Sequence, residues 1–131
     1  MAAAESYPDD LKYHREHDWA RIDGEEAVLG ITWFAQDALG ELVHYEAPEV
    51  GSAVTSGQSY GEVESVKAVS DVISPLSGEV LEVNAGVVEA PETVNEDPYG
   101  EGWLIRIRLS DPSEAEALLD LDAYRQVLAE Q

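Results

Sequence analysis

Alternating polar and apolar positions run through most of this chain. Residues 62–66 (Glu-Val-Glu-Ser-Val) and 69–73 (Val-Ser-Asp-Val-Ile) both alternate, which predicts two strands joined by a tight turn at Lys67. Residues 19–22 alternate, Asp23-Gly24 suits a type I′ hairpin turn, and residues 27–31 read as a buried strand. Thr32 is placed to cap a short helix over residues 33–39 that stops at Gly40. A strand follows at 42–46, ended by Pro48 and Gly51, and Ala53-Val54 lead to a turn at Ser56-Gly57. Residues 84–102, rich in Gly, Pro and Asn, read as loop. Residues 103–109 give the clearest strand, with Trp103, Ile105, Ile107 and Leu109 on one face and Arg106 and Arg108 on the other.

The C-terminal stretch changes period. Asp111 is a helix cap, Pro112 takes the first helical position, and Glu114 is spaced for a capping box. Leu118, Leu119, Leu121, Tyr124, Val127 and Leu128 then form an apolar stripe at helical spacing, expected to pack on the core. The pattern predicts a mainly β domain of about seven or eight strands, with a short inserted helix and a C-terminal helical segment. Residues 1–10, small and acidic, are expected to be a flexible tail, and 11–131 one domain. Gly61-Glu62-Val63-Glu64-Ser65-Val66 is echoed by Gly78-Glu79-Val80-Leu81-Glu82-Val83, which suggests two related strand sets around the lysine turn.

Charge narrows the partners. Twenty-eight acids against seven Lys and Arg leave a net charge of −21. Nucleic acid and anionic membrane surfaces repel such a chain, whereas proteins with basic faces attract it. No run of ~18 apolar residues is present to span a membrane. Residues 1–6 carry neither a basic stretch with a following apolar run nor an arginine, so the cytoplasm is the expected compartment. There is no cysteine, hence no thiolate and no disulfide, and any thiol chemistry must come from a cofactor.

The candidate chemistry centres on Lys67, one of only two lysines. From the stretch Glu64 to Asp71 alone, a solvated charge and a covalent attachment point both stay open. A catalytic lysine needs burial or a neighbouring cation, and Lys67 has only acids and small residues around it. An acylated lysine needs only exposure, a fixed turn and recognisable flanks. No phosphate loop or nucleophile elbow is present, and no catalytic residue is expected. His14 and His17 are three apart but lie outside any helical pattern, so a hydrogen-bonding role is expected rather than metal ligation.

Glu64-Ser65-Val66-Lys67-Ala68 resembles the lipoyl-lysine motif of the glycine cleavage system H-protein family. So do His17-Asp18-Trp19, Gly30-Ile31-Thr32, Leu39-Gly40-Glu41-Leu42-Val43 and Glu46-Ala47-Pro48-Glu49-Val50-Gly51 before it. Ser74-Pro75-Leu76-Ser77-Gly78, Pro91-Glu92-Thr93-Val94-Asn95 and Pro98-Tyr99-Gly100-Glu101-Gly102-Trp103 after it continue the likeness, in the family's order, over about residues 11–128. The resemblance implies a lipoyl/biotinyl-type barrel-sandwich hybrid. It further implies a non-catalytic carrier with lipoate amide-linked to Lys67, where Glu64, Ser65, Val66 and Ala68 are read by a lipoyl-attaching enzyme. The implied partners are a pyridoxal-phosphate glycine decarboxylase, an aminomethyltransferase and dihydrolipoyl dehydrogenase, served by a monomer. Asp18 and Asp71 match acidic positions of the family motifs and are the candidates for holding a cationic aminomethyl group in a cleft. Trp33 and His44 depart from the family pattern, where an acid or small polar residue and an apolar or aromatic one are usual. A biotin carrier would place methionines beside the lysine, where Val66 and Ala68 stand here. A lipoate donor or relay, and an unmodified binding module, remain as alternatives.

Overall fold

The computed structural model describes residues 3–131. Its strands are β1 (Lys12–His14), β2 (Asp18–Asp23), β3 (Glu26–Ile31), β4 (Leu42–Glu46), β5 (Ala53–Val54), β6 (Ser59–Ser65), β7 (Val69–Ile73), β8 (Gly78–Val83) and β9 (Ile105–Leu109). They form a six-stranded sheet in the order β1-β2-β3-β9-β8-β5 and a three-stranded sheet in the order β4-β6-β7. Every pairing is antiparallel. The inner faces of the two sheets share one core, in which Ala20, Leu29, Ile105 and Ile107 meet Leu42, Tyr45, Val63 and Val72. Several outward positions carry charge, among them Glu62, Glu64 and Asp71 on the three-stranded sheet and Glu79, Arg106 and Arg108 on the six-stranded one.

Helix α1 (Trp33–Leu39) is inserted between the sheets as expected. The Thr32 hydroxyl accepts from Ala35 N, and Gly40 ends the helix at φ +87°. Between β2 and β3 the turn differs from expectation. It is formed by Gly24-Glu25, Asp23 lies opposite Glu26, and of the two turn residues only Gly24 has positive φ. That is the pattern of a type II′ turn, since type I′ needs positive φ at both central residues.

The loop-rich stretch folds further than its composition suggested, into α2 (Ala85–Glu89) and α3 (Thr93–Glu96). Five and four residues are too few for a helical period to register. The expected C-terminal helix is two pieces, a 3₁₀ turn at Pro112–Ala117 and α4 (Leu121–Ala129). Leu119 exchanges backbone hydrogen bonds with Tyr13 between them, which breaks the helix, and Asp120 caps α4 afresh. Glu114 makes no capping box. Its carboxylate accepts instead from the Ser77 amide at 2.8 Å and the Ser77 hydroxyl at 2.9 Å.

A second apolar cluster lies under α4, where Trp19, Tyr13, Tyr99, Tyr124 and Val127 pack. β2 is therefore buried on both faces. Trp19 is seated over Gly30, its cross-strand partner, where a Cβ would stand 2.6 Å from the indole. Residues 3–10, expected as a flexible tail, lie against the domain. Ala3 N donates to Asn95 O, the Trp33 indole donates to Ala3 O, and the Tyr99 hydroxyl donates to Ser6 O. Tyr7 meets the Tyr124 ring edge-on at 5.8 Å.

The sequence echo has a structural counterpart. Gly61 and Gly78 each lie where a neighbouring strand's carbonyl passes, Glu46 O in one case and Arg108 O in the other, and a Cβ at either position would overlap that oxygen. Both glycines thus allow close strand approach at equivalent points of the two repeats. Gly61→Ala and Gly78→Ala are each expected to destabilise the fold by about 1–3 kcal/mol, seen as a lower urea midpoint. An unchanged midpoint in both would contradict this account.

Candidate functional site

β6 and β7 form a hairpin whose tip is residues 66–68. Ser65, the last residue of β6, is buried and organises the tip. Its hydroxyl accepts from Lys67 N at 3.3 Å and Ala68 N at 3.1 Å, while its own amide donates to Ala68 O at 2.8 Å. One small side chain thereby satisfies the polar backbone of a turn that projects into water. Val66 is 81% exposed, and Lys67 and Ala68 are exposed beside it. Glu64 also faces out, opposite His44 on β4 and Val69 on β7.

The Lys67 side chain does not stand free. A Cβ on Gly40 would lie 3.4 Å from Lys67 Cε and 3.9 Å from Nζ, so the lysine stem runs over the glycine that ends α1. Beside it is a cleft of about 330 Å³ lined by Gln36, Asp37, Gly40, Glu41, Glu92, Asn95 and Glu96. Four carboxylates and two amides therefore surround a cavity at the low end of the small-ligand size range. Sequence reading missed this group, because α1, the start of β4 and α3 contribute it from positions more than fifty residues apart.

The two acids expected to share a cleft have different surroundings. Asp18 is 2% exposed, Oδ1 accepts from Ile73 N at 3.3 Å, and Oδ2 is buried with no hydrogen-bond partner. Burial pushes its carboxyl well above the usual carboxylate range, against the lowering effect of the Ile73 bond. The hydroxyl of Tyr60 is likewise buried and unpartnered. Ile73 ends β7 at the far side from Lys67, about 13 Å from Val69 at ~3.3 Å per residue. Asp71 is exposed on the outer face of the three-stranded sheet, in a cross-strand row with Glu62 and Glu46.

His17 Nδ1 lies 2.8 Å from the Tyr124 hydroxyl, which also lies 2.8 Å from Thr32 Oγ1. His14 Nδ1 accepts from Glu16 N at 3.1 Å. Among the described residues no group of three or more His, Asp or Glu is placed to hold a metal ion, and no helix is long and apolar enough to cross a membrane. Trp33, one of the two departures from the family pattern, holds Ala3 O with its indole at 2.8 Å. His44, the other, is exposed one row from the hairpin tip.

Comparison with known proteins bears on the same residues. The family model described as glycine cleavage H-protein matches residues 11–131. The chain belongs to the glycine cleavage H-protein family. It is 55% identical over 124 residues to the glycine cleavage system H protein of Anaeromyxobacter sp. (strain K), covering 95% of this chain and 97% of that one. The H protein of Rubrobacter xylanophilus is 56% identical over 124 residues, covering 95% and 96%. The crystal structure of the Mycobacterium marinum H protein superimposes with a TM-score of 0.86 at 41% identity, covering 94% of this chain and 99% of that one. The two packed sheets with few short helices are thus the H-protein fold.

The buried acid of this H-protein family member carries a pH signature. An Asp whose folded-state pKa is raised adds stability that is complete below its unfolded value, about 3.9, and lost as pH rises through the folded value. Asp18→Asn is therefore expected to be more stable than the parent at pH 7, with the gap closing toward pH 4. Urea titrations of both proteins across that range check it, and a gap independent of pH would contradict it.

Proposed function

We propose that Lys67 carries lipoate in amide linkage and that this chain is the mobile-arm carrier of glycine cleavage. The observation that supports the reading is the hairpin tip, where a buried serine fixes the backbone under an exposed lysine in a chain of H-protein sequence. The residues fit the group. Val66 and Ala68 leave Nζ accessible to an attaching enzyme, Glu64 and Ser65 give that enzyme a fixed acid and a fixed turn to read, and the adjoining cleft has room beside the stem. When bound, lipoate accepts the aminomethyl group made by a pyridoxal-phosphate glycine decarboxylase, yields it at an aminomethyltransferase, and is reoxidised by dihydrolipoyl dehydrogenase. The chain supplies no catalytic group in this reading. With no cysteine of its own, it cannot trap the arm as a mixed disulfide. The acidic surface suits basic rims on the partner enzymes, and the cytoplasm is the compartment proposed.

The cargo is a cationic amine that water would hydrolyse. Asp18 and Asp71 are proposed to hold it, one as a buried carboxyl on β2 with an unused oxygen and the other as an exposed carboxylate on the outer face of β7.

Protein made with lipoate and the attaching enzyme should gain one lipoyl mass, and Lys67→Arg none. No gain in the parent would sink the carrier reading. The loaded parent should then support glycine–bicarbonate exchange by the decarboxylase. Loading without exchange would favour a lipoate relay. Asp18→Asn with Asp71→Asn should speed loss of the one-carbon unit as formaldehyde several-fold, about 1 kcal/mol in barrier. Unchanged loss would move that role to other carboxylates.

A further inference from the structure

We infer that Asn95 is a positioning residue for Lys67, an inference that rests on the carrier reading for its use but not for its geometry. Asn95 sits on α3, 8% exposed, and all of its side-chain bonds reach the corner between α1 and β4. Its Oδ1 accepts from Leu42 N at 2.9 Å. Its Nδ2 donates to Gly40 O and to Gln36 Oε1, both at 2.9 Å. Two routes then lead to the lysine. Gly40 is the residue over which the Lys67 stem lies. Leu42 is the cross-strand partner of Ser65, whose hydroxyl holds the Lys67 and Ala68 amides.

One buried amide therefore holds both the surface under the lysine side chain and β4, the strand paired with β6, which leads to the lysine. The chemistry requires an amide. The site needs one acceptor for a backbone N–H and two donors for two carbonyl oxygens, arranged on one planar group. A carboxylate of the same shape would face those two oxygens with like charge and lose both donors. An aliphatic side chain would leave three buried polar groups unpaired. A side chain at Gly40 would be strained, because its φ is +87°. The Gly40 amide is also held, by Gln36 O at 2.9 Å, and the Asn95 bonds fix the carbonyl side of the same residue.

Asn84 provides a matched control. It is also 8% exposed, its Oδ1 accepts from Gly86 N, and its Nδ2 donates to the Glu101 and Trp103 carbonyls. Its side-chain bonds go to Gly86, Glu101 and Trp103, none of which is Gly40 or the Leu42–Ser65 pair. The test compares Asn95→Ala, Asn95→Asp and Asn84→Ala by amide hydrogen exchange on the unmodified full chain. Lys67 and Ala68 should lose at least about tenfold in protection in both Asn95 variants, beyond the loss of global stability. In Asn84→Ala their protection should fall only with global stability. The kcat/KM of lipoyl attachment should fall about fivefold in the Asn95 variants and stay at the parent value in Asn84→Ala. Equal local losses in Asn84→Ala, or parent-like protection at Lys67 and Ala68 in the Asn95 variants, would overturn the inference. A parent that accepts no lipoyl group would remove the carrier reading alone, since the exchange data still decide the positioning role.

Discussion

The Ser65 hydroxyl is the contact on which the exposed end of this molecule depends. The turn that carries Lys67 leaves the sheet and exposes backbone N–H groups that the ladder no longer pairs. Ser65 satisfies two of them from inside the fold. A larger side chain at this buried position would have to displace Leu42, its neighbour across the ladder. The order of the tip is thus borrowed from the sandwich: β4 and β7 flank β6, and the shared apolar core holds all three.

The two outer faces of the sandwich handle charge differently. On the six-stranded sheet Arg106 lies between Glu26 and Glu82, and Arg108 pairs with Glu79. These exposed pairs add little to stability, but they cancel repulsion. On the three-stranded sheet Glu46, Glu62 and Asp71 stand in one cross-strand row with His44 and Glu64 in the next. Like charges opposite one another weaken a sheet. The face nearest Lys67 keeps that unfavourable arrangement, and its field extends toward whatever approaches the lysine.

Legibility in the sequence followed the range of the forces involved. The hairpin and the Thr32–Gly40 limits of α1 rest on period-two alternation and on local capping, so they could be read directly. Helices α2 and α3 are held by a single Asn84 cap and by tertiary contacts, which leave no periodic trace. Glu114 was spaced for a capping box, yet a buried turn amide at Ser77 gave its carboxylate better partners. Lys67 stood out through motif and composition. Asn95, Gly40 and the carboxylates of the cleft did not, because their association depends on a chain reversal that no local pattern encodes. The docking of residues 3–10 was hidden for the same reason, since its anchors are Trp33, Asn95 and Tyr99.

That docking has a practical side. Ala3 is held between the carbonyl of Asn95 and the indole of Trp33, on the same α3 that walls the cleft beside Lys67. An affinity tag or fusion partner joined ahead of Ala3 would set out from the rim of that cleft. It would crowd the approach to Lys67 and to that cleft. A fusion joined after Gln131 would instead set out from the end of α4, which does not line that cleft.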